Sequence, residues 1–172
     1  MIIDVDKVPK DGMTVNRDFE FEGQDLVEES ASFLKPVHAD LFIRRMTEEV
    51  WIKGRVMTRL NITCGRCAGP FEFPVDSRFD LVFLPQEYQE IKESMGEEDA
   101  DQLFYRDRRI DLRGVVLEQL NLTFPFKPLC SESCEGICAV CGRVRRGGDC
   151  GCAVHETDGR LDALKSMMKD KR

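Results

Sequence analysis

Histidine is scarce in this chain of 172 residues, which contains only His38 and His155. Neither stands at a spacing typical of a zinc ligand or of a catalytic triad, which argues against Cys–His nucleophilic catalysis and against His-rich catalytic zinc sites. Long apolar runs are missing too, and none approaches the roughly 20 residues that span a bilayer, which excludes a membrane-spanning protein. The first residues contain neither a basic nor an apolar stretch, so we expect no signal or transit peptide and a cytoplasmic location.

Positive net charge is also lacking, because 32 acidic residues outnumber 25 basic ones and give a net charge of -7. Such a chain would ordinarily repel nucleic acid. The acidity is concentrated, however, in residues 1–40 and 86–101, each with a net charge of -6. The rest of the chain therefore carries +5, and the composition is compatible with a basic surface that binds phosphate.

The alternation of apolar and polar residues is typical of strands over 37–43, 50–62 and 71–83. Gly54, inside the second of these segments, is predicted to mark a β-bulge. The last two segments flank a Gly- and Pro-containing turn, so we expect a long hairpin. The sequence predicts an α+β, β-rich fold: an antiparallel meander or partly open barrel, with one or two helices and a C-terminal cysteine-rich zinc module.

Three regions follow from these patterns. Residues 1–128 form the predicted β-rich domain, which includes a helix over 111–121 that Asp111 caps. Residues 86–101 are predicted to be a mobile acidic insertion in that domain, because they contain few apolar side chains. We expect a cysteine-rich zinc-binding module over 129–157 and a C-terminal helix over 158–172.

Cysteine is abundant, with eight residues, six of which lie within 130–152 in the pattern C-x3-C-x3-C-x2-C-x8-C-x-C. In a reducing compartment this clustering is more typical of metal binding than of disulfides. Zinc prefers four ligands at the corners of a tetrahedron, and a C-x2-C pair lets two thiolates reach one ion. The predicted first site consists of Cys138, Cys141, Cys150 and Cys152, and the possible second site of Cys64, Cys67, Cys130 and Cys134.

A different partition of the cysteines is an alternative. A single ion could be bound by Cys130, Cys134, Cys138 and Cys141, with the remaining cysteines free. The sequence therefore leaves open whether the cofactor is one Zn²⁺ or two. In either case a site with four thiolate ligands has no position for water, so its role is to stabilise the fold.

The pair Cys64-Gly-Arg-Cys67 could alternatively be a redox-active dithiol. Redox pairs of this type lie where a strand meets a helix, because the helix N-terminus lowers the pKa of the first thiol. Here Pro70 and an alternating strand pattern follow the pair. A dithiol redox protein is therefore the weakest of the hypotheses.

Taken in order, the cysteine segments resemble the YceD family of large ribosomal RNA subunit accumulation proteins. The resemblance covers about residues 45–168 and rests on Cys64-Gly-Arg-Cys67-Ala-Gly-Pro-Phe, Leu122-Thr-Phe-Pro-Phe-Lys-Pro-Leu-Cys130, Cys134-Glu-Gly-Ile-Cys138-Ala-Val-Cys141-Gly, Cys150-Gly-Cys152 and Asp158-Gly-Arg-Leu-Asp-Ala-Leu. Gly159 departs from the family pattern, which typically has Pro there. The resemblance implies a non-catalytic ribosome-assembly factor that supports accumulation of large-subunit (23S) rRNA, and implies no known reaction.

The predicted partner is large-subunit rRNA or a pre-ribosomal particle, although the resemblance itself does not name a direct partner. Arginines near the cysteines and the helix start are candidates for phosphate contacts. No RNA-recognition aromatic motif is present, so nothing indicates sequence-specific base reading. The candidates are Arg66, Arg106, Arg108, Arg109, Arg113, Arg143, Arg145 and Arg146.

The acidic segment 86–101 supports an alternative interpretation. Ribosomal proteins are basic, so the chain could be a protein-interaction scaffold that captures a ribosomal protein or another assembly factor through this segment. The sequence does not indicate an oligomeric state.

Overall fold

The computed structural model describes residues 1–88, 102–145, 148 and 150–152. Most of the acidic segment, from residue 89 to 101, lies outside the described residues, as does the predicted helix over 158–172. The mobility of the first and the helicity of the second stay predictions, as do the domain bounds at 128 and 157. No helix in the described part of the chain is long and apolar enough to cross a membrane.

The elements whose bounds both lie within the described residues are eight strands, one α-helix and two short 3-10 helices. The predicted strands over 37–43, 50–62 and 71–83 are confirmed, each slightly longer than expected. The strands are β1 (Ile2–Asp4), β2 (Met13–Phe19), β3 (Ser32–Phe33), β4 (Val37–Met46), β5 (Glu49–Thr63), β6 (Pro70–Pro85), β7 (Gln102–Tyr105) and β8 (Arg109–Asp111), and the helix α1 spans Leu112–Asn121.

Six strands form one open sheet in the order β2-β4-β5-β6-β7, with β3 paired to β5 beyond the end of β4. The sheet does not close into a barrel, because β2 and β7 lie at opposite edges and do not pair. The antiparallel meander was an incomplete prediction, since β7 pairs with β6 in parallel. Strands β1 and β8 form a separate two-stranded sheet, which joins the N-terminus to the start of α1.

The hairpin β5–β6 forms the centre of the sheet, because its alternating sequence gives it one apolar face. Val50, Ile52, Val56, Leu60 and Ile62 of β5 are almost completely buried. Burial of each such side chain stabilises the fold by roughly 1.5–3 kcal/mol. These even positions face the core, and the odd positions between them carry the polar face of the sheet.

The predicted bulge at Gly54 is wrong, because the register runs unbroken from Leu41 through Gly54 to Phe79. Glycine is required here for space: a Cβ atom would lie 2.3 Å from Cζ of Phe79 and 2.7 Å from Cδ2 of Leu41. The missing side chain lets the aromatic ring pack directly against the backbone of β5.

Helix α1 begins where predicted, since the side chain of Asp111 accepts a hydrogen bond of 3.1 Å from the backbone N–H of Arg113. Leu112, Val116 and Leu120 are fully buried and place one face of the helix in the main core. After Asn121 comes a turn segment, in which the N–H groups of Thr123 and Phe124 bond the carbonyls of Leu120 and Asn121. This segment carries the chain toward the cysteines.

Candidate metal centres

Four sulphur atoms meet at the tip of the β5–β6 hairpin, in a group that we call the clasp cluster: Cys64, Cys67, Cys130 and Cys134. Their Sγ atoms all lie within 4.8 Å of one another. The Sγ–Sγ distance is 3.9 Å between Cys64 and Cys134 and 3.8 Å between Cys67 and Cys130. A tetrahedron with metal–sulphur bonds of about 2.3 Å has edges of about 3.8 Å, whereas a disulfide requires about 2.05 Å. The spacing therefore fits four thiolates around one metal ion.

A second group of four, the knuckle cluster, lies later in the chain and comprises Cys138, Cys141, Cys150 and Cys152. Its four Sγ atoms also lie within 4.8 Å of one another. The structure thus brings together the two predicted sets of ligands. It does not group Cys130 and Cys134 with Cys138 and Cys141, which was the alternative arrangement.

Backbone N–H groups point at the first cysteine of each C-x2-C pair. The thiol of Cys64 accepts hydrogen bonds from the N–H groups of Cys130, Cys67 and Arg66, and these lower its pKa to about 6. In the same way, the N–H groups of Cys141 and Val140 lower the pKa of Cys138 to about 5. The tight turn of each pair thus stabilises a thiolate, which is the form that binds metal.

Other thiols in the same clusters are shifted in the opposite direction. Cys134 accepts a bond from the N–H of Gly136, which lowers its pKa, but burial and the neighbouring thiols outweigh this effect and raise the pKa to about 11. Hydrogen bonds with Cys141 and Cys150, followed by burial, raise the pKa of Cys152 to about 12. Four adjacent thiols cannot all ionise alone, so each donor set suits a divalent cation that replaces the protons.

The clasp cluster joins two parts of the chain that are far apart in sequence. The N–H of Gly65 donates to the carbonyl oxygen of Pro128 at 2.8 Å. Nη1 of Arg66 donates to the carbonyl oxygens of Glu132 and Cys134, at 3.3 and 2.9 Å. The hairpin tip is therefore fastened to residues 128–134 by backbone contacts as well as by the sulphurs.

The clasp cluster is also largely shielded from solvent. Cys64, Cys67 and Cys134 are buried, and they form a small core of their own with Phe71 and Leu129. Phe71 also packs against the main core of the sheet, so the two cores adjoin each other. Water therefore has little access to three of the four sulphurs.

Close packing at Gly136 completes the clasp. Its φ is +77°, and a Cβ atom would lie 2.8 Å from the carbonyl oxygen of Arg66. Any other residue would be strained at this position and would push the backbone near Gly136 away from the hairpin tip. Sequence reasoning missed this residue, although a glycine two positions after Cys134 was a usable signal.

The knuckle cluster is more exposed and more local. Cys138 is buried, but Cys141 is exposed and the other two thiols are half-buried. Its turn is held by bonds of 2.9 Å from the N–H of Cys138 to the carbonyl of Arg143 and from the N–H of Gly142 to the carbonyl of Cys138. The cluster organises a short loop and does not fasten it to a distant strand.

Several arginines that were predicted to contact phosphate are engaged within the protein. Arg66 binds the carbonyls of the clasp, as described above. Arg108 is held by Asp6 at 2.7 Å and Glu48 at 2.6 Å, and these hydrogen bonds raise its pKa. The bonds occupy the guanidinium at the end of the molecule where β4 turns into β5.

The other candidates differ in how far they are engaged. Arg113 lies 4.5 Å from the ring centroid of Phe21 and bonds Asp25, and Arg145 donates to the sulphurs of Cys138 and Cys150. Arg106 bonds the neutral amide of Gln86, so its charge is not compensated by that contact. Arg109 and Arg143 are exposed and have no side-chain bond within the described residues, whereas Arg146 lies outside them.

The arrangement defines a sheet-rich protein in which two groups of four cysteines could each hold a metal ion. The family model described as "Large ribosomal RNA subunit accumulation protein YceD" matches residues 52–168, a span that includes all but the first three residues of the hairpin, the helix and both clusters. The chain belongs to the YceD family.

Relatives of this chain come from bacteria and from plants. An uncharacterized protein of Mycobacterium leprae is 27% identical over 107 residues, which are 62% of this chain and 48% of the relative. An uncharacterized protein of Mycobacterium tuberculosis is 27% identical over 129 residues, 75% of this chain and 60% of the relative. The chain thus spans about half the length of the curated relatives it matches.

A named plant relative is the Zea mays protein "Large ribosomal RNA subunit accumulation protein YCED homolog 1, chloroplastic". It is 24% identical over 159 residues, which are 78% of this chain and 54% of the relative. No solved structure matches this chain significantly.

Proposed function

We propose that this protein is a non-catalytic ribosome-assembly factor of the cytoplasm, which supports accumulation of 23S rRNA and binds rRNA or pre-ribosomal particles. The observation that carries the proposal is the family match over residues 52–168, whose description names large-subunit rRNA accumulation. The matched span contains all eight cysteines. We therefore connect the function with the part of the molecule that the cysteines organise.

Zinc is the metal that we propose for both clusters. It binds four thiolates in a tetrahedron, and the Sγ separations of 3.8 and 3.9 Å in the clasp cluster suit that geometry. When bound, zinc supplies a cross-link and no open coordination position. The residues around the site position the two chain segments: Arg66 and Gly65 align the hairpin tip with residues 128–134 through hydrogen bonds.

The turn between β7 and β8 is our first candidate for phosphate contacts. Asp107 and Arg108 at its centre have φ of 52° and 57°, which is costly for residues other than glycine. The bonds from Arg108 to Asp6 and Glu48 hold this conformation. Arg106 and Arg109 on either side form a β-bridge with each other, and neither has an acidic partner within the described residues. Two neighbouring arginines of this kind suit an RNA backbone.

The second candidate is the loop of the knuckle cluster, where Arg143 is exposed. We propose that it and Arg146 contact phosphate. The other four candidates instead bind backbone, carboxylate or sulphur groups of the protein itself: Arg66, Arg108, Arg113 and Arg145.

The cellular test is depletion of the protein, followed by measurement of the ratio of 23S to 16S rRNA and of ribosomal particles on a sucrose gradient. We expect a low ratio that the wild-type chain restores. The clasp variant Cys64→Ser/Cys67→Ser should fail to restore it, whereas Ser131→Ala, which removes a hydroxyl beside a clasp cysteine, should succeed. A normal ratio in depleted cells would contradict the proposed function.

The binding test compares Arg106→Ala/Arg109→Ala/Arg143→Ala with a control of equal charge change on the polar face of the sheet, Arg55→Ala/Arg59→Ala/Arg78→Ala. Each lost phosphate contact should reduce the slope of log K against log salt by about 0.7–0.9. The first variant should bind rRNA more weakly and with a smaller slope. Equal effects of the two variants would remove these three arginines from the proposal.

A further inference from the structure

Phe126 is exposed to an unusual degree for a large apolar side chain. Its relative exposure is 105%, higher than that of any other large apolar residue in the described part of the chain. Such exposure leaves the whole ring in water, which is unfavourable unless a partner covers it. The residue lies between helix α1 and the clasp cluster, in the segment Phe124-Pro125-Phe126-Lys127-Pro128.

The backbone on both sides of Phe126 is fixed. Before it, Phe124 packs against the main core and its N–H bonds the carbonyl of Asn121. After it, the carbonyl of Pro128 accepts the 2.8 Å bond from Gly65. Pro125 and Pro128 restrict their own φ angles, and each also restricts the residue before it. The ring therefore projects from a short segment with a restricted backbone, so little backbone entropy is lost when a ligand binds the ring.

A basic residue adjoins the ring. Lys127 follows it and is exposed, and the bond between Gly65 and Pro128 brings the exposed Arg66 to the same end of the molecule. Arg66 donates to backbone carbonyl oxygens of the clasp cluster, so Lys127 is the cation beside the ring that can meet a phosphate. An exposed aromatic ring with a cationic group beside it is suited to single-stranded nucleic acids, because bases stack on the ring and phosphates meet the cation.

We propose that Phe126 is a stacking platform for an unpaired nucleobase of RNA, with Lys127 contacting the adjacent phosphate. This inference rests on the proposed function, because it names the atoms that would meet single-stranded rRNA. Stacking of this kind tolerates different bases, which agrees with the absence of an RNA-recognition motif in the sequence.

The test uses the full chain and single-stranded RNA probes of about 12 nucleotides, oligo(A) and oligo(U), together with an RNA duplex of equal length. In Phe126→Trp, made in a Trp51→Phe background, the new indole should be quenched by the single strands and not by the duplex. Replacement of Phe126 by Ala should weaken single-strand binding about 5- to 150-fold. Tyr should retain the affinity.

Two variants separate base stacking from simple apolar contact. Phe126→Leu keeps an apolar group without a π face, so it should lose nearly as much affinity as Ala. If Leu binds like Phe, the site is an apolar docking point and the proposal is overturned. Leu122→Ala, which removes another exposed apolar side chain from the neighbouring turn, should have no effect.

The failure of this inference is distinguishable from failure of the proposed function. If wild-type protein binds the single strands but Phe126→Ala binds them equally well, only stacking is contradicted. If wild-type protein binds neither these probes nor rRNA, direct RNA binding itself is contradicted, and the stacking proposal falls with it.

Discussion

Loss of one ligand should have different consequences in the two clusters, because they close chain segments of different length. Cys67 and Cys130 of the clasp cluster are 63 residues apart. Cys138 and Cys150 of the knuckle cluster are 12 residues apart. Treated as cross-links in the chain-entropy relation, these closures restrict the unfolded chain by about 4 and about 3 kcal/mol. The clasp constraint also acts between a strand tip and a distant segment, so its loss should separate them.

The amide of Gly65 reports this separation directly, because its hydrogen bond to Pro128 spans the junction. For the metal-loaded protein we expect Cys130→Ser to accelerate hydrogen exchange of this amide about a thousandfold, which corresponds to about 4 kcal/mol. Cys141→Ser should change it less than about tenfold, because the knuckle cluster does not hold the hairpin tip. Ser131→Ala is the control for substitution beside a ligand. Similar acceleration by both cysteine variants, or none by Cys130→Ser, would show that the clasp cluster does not hold the hairpin tip.

Substitutions at three further positions test the fold. Gly54→Ala should lower the free energy of unfolding by about 1–3 kcal/mol in urea denaturation, because its Cβ would overlap a phenylalanine ring of β6; a neutral result would contradict the close approach. Asp111→Ala removes the cap of α1 and should cost about 1 kcal/mol in the same assay, whereas Asp111→Asn should cost much less. Arg108 lowers the pKa of both Asp6 and Glu48, so the stability gained from these bonds is present above the ordinary carboxyl pKa and is lost as pH falls through the lowered values. Thermal unfolding of Arg108→Met should therefore differ from wild type at pH 7 and converge with it in acid; a constant difference would show that the charges are not responsible.

The sheet could be predicted from the sequence as far as hydrophobic alternation determines it. Strand β5 was predicted because Val50, Ile52 and Val56 recur with the period of a strand, and β6 because its phenylalanines do the same. The parallel pairing of β7 could not be predicted in this way, since alternation shows which face a residue occupies and not which neighbour its strand selects. That choice depends on the path of the chain between β6 and β7.

The cysteine groups were only partly predictable for a similar reason. The spacing of Cys138 and Cys141 shows that both can reach one ion, but it does not show which other pair completes the set. The partition was decided by the hairpin, which brings Cys64 and Cys67 to Cys130 and Cys134 across more than 60 residues. Side chains reach one another through tertiary packing, which sequence spacing does not encode.

The sequence shows how many arginines there are, but it does not show which of them are free to contact phosphate. Arg108 and Arg109 are adjacent in sequence, yet the first is held by two carboxylates and the second is exposed without such a bond in the described residues. A count of charges identifies a basic region. Only the positions of Asp6 and Glu48 in the fold show which guanidinium group is bound by carboxylates.

In our proposal, eight thiolates bind two metal ions and so hold together the part of the chain that the family model matches. Elemental analysis of protein purified without chelator, combined with X-ray absorption at the zinc edge, tests this proposal. We expect two zinc ions per chain, each with four sulphur neighbours at about 2.3 Å. A metal content near zero, or a first shell containing nitrogen or oxygen, would contradict it.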